Sequence, residues 1–383
     1  LWIEEQTSDD AFMTVFKVDE VRLSIVRMRL VVPFRASTHG ADELLHVLVR
    51  MRCGDVVGWG EVSTPNDPYY LGETTEGAWQ MLSDFIVPRI VGKSFSSIEE
   101  FRALYSVVKG NTFAKAGIEA AAWDVVTQAA GIPLSRALGG TRTEITSGVA
   151  LGMEEENRLY ELISDYVEQG YHRVKLKIAP GKDVKVIEGV RKRFPTLPIM
   201  ADANSAYTLG DVDALRALDD FNLTMIEQPL PYDDFVDHAK LQSLIRTPVC
   251  LDESIRSLND AKTALKLGSC QIVNIKVARV GGLLEAKAVH DLFHEAGIPV
   301  WCGGMHDYGI GRAANIAIST LPGFSIPGDI SGFDKYFTED LVEPEIRANH
   351  GCIVVSDRPG IGYRPVESRI DERTVRTRIF PAA

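Results

Sequence analysis

Five short apolar runs, each ending in charge, carry the chemistry of this 383-residue chain: VKLKI, MADANS, MIEQPL, CLDES and VNIKVAR. Their charged ends fall at Lys177, Asp202, Glu227, Asp252 and Lys276, in steps of 25, 25, 25 and 24 residues. Hard carboxylate oxygens supplied singly from successive segments suit Mg²⁺, which takes carboxylates, water and substrate oxygens. A lysine drawn out of water, or set beside a second cation, becomes a usable base. Three acids flanked by lysines are therefore the ingredients of metal-assisted proton transfer. Asn204, two positions past Asp202, faces the same way and can support a ligand. Each acid alone reads more readily as a surface strand end or a helix N-cap than as a ligand, and it is the repeat that makes coincidence improbable.

A period near 25 with helical patterning between the runs means one strand and one helix per repeat. In Val174–Ile178, Val174, Leu176 and Ile178 share one face and Lys175 and Lys177 the other. Barrel strands turn their apolar outer face to helices, so both lysines are expected to point inward. In the sixth run Asn274 and Lys276 alternate with Val273, Ile275 and Val277, which places Lys276 inward as well. The carboxyl ends of parallel barrel strands share one mouth. Lys177 on strand two and Lys276 on strand six should then face each other across Asp202, Glu227 and Asp252, with Arg279 behind Lys276 to keep its pKa low. The first barrel strand is expected at 146–152, the last at 324–326, and helices at 154–169, 183–194, 209–219, 233–245, 257–267, 283–296 and 308–320. Upstream, strands at 18–32, 46–52 and 56–62 precede helices at 74–85, 98–109 and 114–130. They suggest an α+β domain over 18–140. Residues 1–17 read as an extension. A strand at 351–356 is expected to return to the first domain, so that a tail of about 350–383 completes it and 141–349 form the barrel.

Bulk composition narrows the partners. Lys+Arg of 41 against Asp+Glu of 53 gives a net charge of −12 with no basic block, which disfavours nucleic acid and anionic membranes. Five scattered cysteines without a CxxC pair read as buried, reduced thiols of a cytoplasmic protein. No apolar run of about 18 residues and no signal-peptide pattern is present, so no membrane span is expected.

The K-x-K at Lys175/Lys177, the three acids and Lys276 together resemble the enolase superfamily, and within it the muconate cycloisomerase subgroup. Asp202-Ala203-Asn204, Glu227-Gln228-Pro229, NIKVARVGG with Lys276 and Arg279, GGM at Gly303, Gly304 and Met305, GRAANIA, LPGFSIPGDIS and ETTEGAWQMLSDFIVP narrow it. They are similar to the branch holding o-succinylbenzoate synthase and N-succinylamino acid racemase. The resemblance covers roughly residues 20–370. It implies an α/β fold, a modified TIM barrel (βα)₇β with an α+β capping domain. It also implies a homo-oligomeric enzyme using Mg²⁺ (Mn²⁺ as substitute) on a small-molecule carboxylate. By that resemblance Asp202, Glu227 and Asp252 bind the metal, Lys177 removes the proton next to the carboxylate, and Lys175 tunes Lys177. Lys276 then acts as an electrostatic clamp in a syn dehydration, in the menaquinone pathway, or as the opposite-face acid in racemisation. A muconate-type cycloisomerase is a third outcome, whereas a mere carboxylate or metal binder gains nothing from two opposed lysines. Departures from the branch concern the substrate side. His306 and Asp307 follow GGM, Arg35 and His39 stand in the loop 34–40 where an apolar lid is expected, and Ala150 replaces a serine. His306 also admits a mandelate-racemase-like base, but that arrangement needs an aspartate on strand six, where Lys276 stands.

Overall fold

Seven parallel strands form one curled sheet in sequence order in the computed structural model, which describes residues 15–35 and 40–383. The strands are Val149–Leu151, Val174–Lys177, Ile199–Asp202, Ile226–Glu227, Val249–Leu251, Ile272–Ile275 and Val300–Cys302. Helices such as Glu156–Glu168, Val184–Arg193, Leu258–Leu267 and Leu283–Glu295 join them. The period-two pattern sorts the strands as expected. Val174, Leu176, Ile199, Ala201, Val273 and Ile275 pack outward into the main core, while Met200, Met225, Cys250, Ile272 and Trp301 fill the barrel interior. Register places Lys177 beside Asp202 and Asp202 beside Glu227, on one level.

Two expectations for the barrel are corrected. The first strand is only Val149–Leu151, and the preceding Glu144–Thr146 pairs antiparallel with Cys352–Val354. The segment expected to rejoin the first domain thus lines the foot of the barrel instead. The eighth strand is reduced to isolated bridges, Val300 with Phe324 and Ser147 with Gly328, because the Pro-Gly-rich run there cannot sustain a ladder. Together with the separate antiparallel sheet the architecture is a modified TIM barrel with a cap.

That sheet runs in the order Thr374–Pro381, Glu20–Arg35, Gly40–Cys53 and Val56–Val62. The helix Thr112–Ala130 packs on it around a second apolar core and ends at Gly131, whose φ of 71° suits glycine. Where this helix meets the barrel, a Cβ on Gly282 (φ 129°) would lie 2.5 Å from the Glu119 carboxyl group, so only glycine allows the approach. The helix expected at 74–85 begins at Thr75 and widens to a π-helical turn at Met81–Ile86, just before Pro88, which has no amide to continue a regular ladder. Of the extension, Phe16–Lys17 forms a strand with Ser94–Phe95, and the Phe16 ring packs at a tilt against Phe95 and Phe101. Residues 1–14 and His39 lie outside the described residues. Arg35 ends the strand Glu20–Arg35. Cys53, Cys250, Cys270 and Cys302 are buried thiols, whereas Cys352 is partly exposed, contrary to the expectation for all five. No helix among the described residues is long and apolar enough to cross a membrane.

Candidate active site

Part of the strand-end set meets in one cavity, while Glu227, Asp252, Arg279 and Gly303 are not among its lining residues. Lys175, Lys177, Asp202, Asn204, Lys276, Gly304, Met305 and His306 line one cavity of about 140 Å³ at the carboxyl end of the barrel, roofed by cap residues including Tyr70. Lys177 Nζ lies 2.6 Å from Asp202 Oδ2 and also donates to Asn204 Oδ1. Lys175 Nζ contacts the same Asp202 oxygen at 3.3 Å, Glu227 Oε2 at 3.1 Å and Asp329 Oδ2 at 2.6 Å. Opposite them, Lys276 Nζ sits 3.0 Å from Asp252 Oδ2 and 2.8 Å from the Tyr70 hydroxyl.

The charges set one another's proton affinities. Burial would raise the Asp202 carboxyl, but Lys177 and Lys175 outweigh it and hold it below the usual range. Asp252 is held well below by Arg279 and Lys276 against the same opposition from burial. Glu227 goes the other way: burial first, then the Asp202 charge, push it up to about 8. Burial opposes the charge on Lys175, yet Asp329, Glu227 and Asp202 raise its pKa well above the ordinary value. Its amine is therefore committed to acids, which makes it a fixed positive charge. The Arg279 guanidinium bonds Asp252 Oδ1 and steadies the carboxylate that Lys276 also holds.

The GGM segment shapes the wall. A Cβ on Gly303 would sit 2.5 Å from Asn274 Oδ1 and 2.7 Å from Lys276 Cε, so glycine leaves the room that Lys276 occupies. His306 adopts a φ of 59° and sets its ring edge-on to Tyr336 at 5.0 Å. Asp307 turns away from the cavity: it accepts from Met305 N and Asn315 Nδ2 and fixes the loop before the helix Gly309–Ile318.

Several site residues escaped the sequence reading. Asp329, in PGDIS, bonds Lys175 and Arg173, and only its place just past the expected eighth strand pointed to it. Glu253 accepts from Asn204, and Asn274 donates to Glu227, as its inward phase beside Lys276 could have suggested. Tyr70 and His46 come from the cap, and nothing in the barrel repeat points to them.

The donor set fits an oxygen-seeking dication. The Asp202 and Asp252 charges raise the proton affinity of the buried Glu227, and among the described residues the buried acceptors Glu253 Oε2 and Asn274 Oδ1 have no hydrogen-bond partner. Among the described residues no three acidic, histidine or cysteine side chains are gathered as a ready metal cluster, and lysine amines lie against the acids instead.

Residues 19–139 match the mandelate racemase/muconate lactonizing enzyme N-terminal domain, and residues 158–369 match the enolase C-terminal domain-like family. The chain belongs to the enolase superfamily. Among its superfamily relatives, an o-succinylbenzoate synthase from Geobacillus kaustophilus is 48% identical over 366 residues, 95% of this chain and 97% of the relative. An N-succinylamino acid racemase from an Amycolatopsis species is 42% identical, covering 94% and 98%. The crystal structure of an enolase superfamily member from Listeria innocua superposes with a TM-score of 0.93 at 38% identity, covering 96% and 99%. Enolase superfamily enzymes work with a divalent metal, and this chain is an enzyme of that superfamily.

Proposed function

We propose that this enzyme abstracts a proton next to a carboxylate and acts as an o-succinylbenzoate synthase in the menaquinone pathway. What carries the reading is that Lys177 and Lys276 line one cavity from strands two and six, with acids between them. Asp202, Glu227 and Asp252 would hold Mg²⁺, with Mn²⁺ able to replace it. When bound, the ion supplies positive charge to the substrate carboxylate and to the enediolate that forms from it. Lys177 Nζ takes the α-proton and returns it to the hydroxide that departs from the neighbouring carbon, so one water leaves and no redox change occurs. Lys175, fixed by three acids, adds a permanent positive charge at the same end. Lys276, steadied by Asp252 and Tyr70, offsets charge on the opposite face. Residues 18–140 with the end of the tail at Thr374–Pro381 serve as cap, residues 141–349 as barrel with Cys352–Val354 at its foot, in a cytoplasmic homo-oligomer.

The placement of Lys276 favours one second reading, racemisation of N-succinylamino acids, because an amine on the far face can return a proton there. Incubation in D₂O separates the two. Prompt α-deuteration of an N-succinylamino acid supports racemisation, and rapid dehydration without it supports the synthase. The proposal fails if Lys177→Ala retains either activity.

A further inference from the structure

Three acids surround the buried Lys175 amine, and they are not equivalent. Asp202 Oδ2 at 3.3 Å and Glu227 Oε2 at 3.1 Å belong to the proposed metal ligands, whereas Asp329 Oδ2, closer at 2.6 Å, does not. Asp329 is anchored apart from those ligands. Its backbone N–H donates to Cys302 O at 2.9 Å on the seventh barrel strand, and its Oδ1 lies 2.8 Å from Arg173 Nη2. Arg173 is fixed in turn: it is buried, donates to Pro327 O at 2.7 Å and lies over the Trp301 ring. Asp329 therefore has its place set by strand seven and Arg173, independently of Lys175.

An ammonium group and a dication compete for the same carboxylate oxygens, since each is drawn to the charge that the other offsets. Lys175 cannot withdraw into solvent, because the strand Val174–Lys177 holds its stem inside the barrel. A buried amine left without an acid is strongly unfavourable. It can release Asp202 and Glu227 only if another acid stands within reach, and Asp329 is that acid. Lys177, whose amine contacts the same Asp202 oxygen, has the Asn204 carbonyl as its alternative. Pairing with Arg173 alone would account for one oxygen of Asp329, but not for the other lying nearer to Lys175 than either ligand does.

We infer that Asp329 is a positioning residue for metal binding: it holds the Lys175 amine off Asp202 and Glu227 and so frees their oxygens for Mg²⁺. This rests on the proposed function for the identity of the ligands. The test is calorimetric titration of Mg²⁺, without substrate, into metal-stripped parent, Asp329→Asn, Lys175→Met and the double variant. With Lys175 present, Asp329→Asn should weaken Mg²⁺ binding at least tenfold, the size of effect expected when a group that orients a metal site is lost. In the Lys175→Met protein the same substitution should change the affinity less than twofold, since no amine is left to fall back on the ligands. An equal loss in both backgrounds would mean that Asp329 acts through its own charge or through the fold, and would overturn the inference. So would an unchanged affinity in Asp329→Asn. Because Asp329→Asn strands the buried Arg173, the same four proteins are also compared with Arg173→Met in each, which keeps the comparison measurable if the single variant fails to fold. A parent that binds no Mg²⁺ refutes the inference together with the proposed ligands. Turnover in D₂O is scored separately: a parent that shows the coupling but turns over neither substrate class leaves Asp329 assigned and refutes the proposed function.

Discussion

Replacing Gly303 by alanine tests how closely the reaction depends on the position of Lys276. The new methyl would stand 2.7 Å from Lys276 Cε and 2.5 Å from Asn274 Oδ1. Carbon atoms rest about 3.5–4.0 Å apart, so the lysine must retreat by roughly 1 Å. A displacement of that size at a reacting group costs about 10²-fold in rate, equivalent to about 2.7 kcal/mol. Overpacking costs about 1–3 kcal/mol of stability, which a large barrel should tolerate. The assay is kcat for dehydration and for α-deuterium exchange, with near-ultraviolet circular dichroism as the check on fold. A variant that folds and keeps kcat within twofold of the parent would refute the placement of the Lys276 amine at the reacting carbon.

Other outcomes follow from the same contacts. Asp329→Asn leaves Arg173, whose side chain is 1% exposed, without its charge partner. It should cost about 3–5 kcal/mol in urea unfolding, and a loss below about 1 kcal/mol would contradict the pairing. Burial raises Glu119 from 4.5 to about 7, so the folded state holds a proton that the unfolded chain releases between those values. Stability should therefore fall as pH rises from about 4.5 to 7 and then level off, by up to about 3 kcal/mol, and Glu119→Gln should flatten that slope. Chelation should abolish turnover and lower the thermal midpoint, and Mg²⁺ should restore both. Unchanged midpoints on adding Mg²⁺ to stripped protein would count against a site at Asp202, Glu227 and Asp252.

The strand-borne part of the site was legible because a barrel converts a sequence period into a spatial ring. Each step of about 25 residues delivers one side chain to the same mouth, and alternation decides which face it takes. Asp329 was harder to read because the chain there makes only isolated bridges, leaving no periodic run to set its phase. Tyr70 meets Lys276 across 206 positions of sequence, a contact that local pattern cannot encode. His46 looks like any residue of an amphipathic strand until Glu61 and Tyr308 are seen around it. Sequence places Arg279 near Lys276, but that both cations share the Asp252 carboxylate is visible only in the folded arrangement.

Beneath the lysines, the indole of Trp301 is fully buried, with Lys175 Nζ 5.2 Å and the Arg173 guanidinium carbon 5.1 Å from its ring, and its N–H directed at Cys250 Sγ. Indole emission shifts colour with the electric field across the ring. The barrel floor is thereby an internal voltmeter, and light from one tryptophan would register any rearrangement of the ions above it.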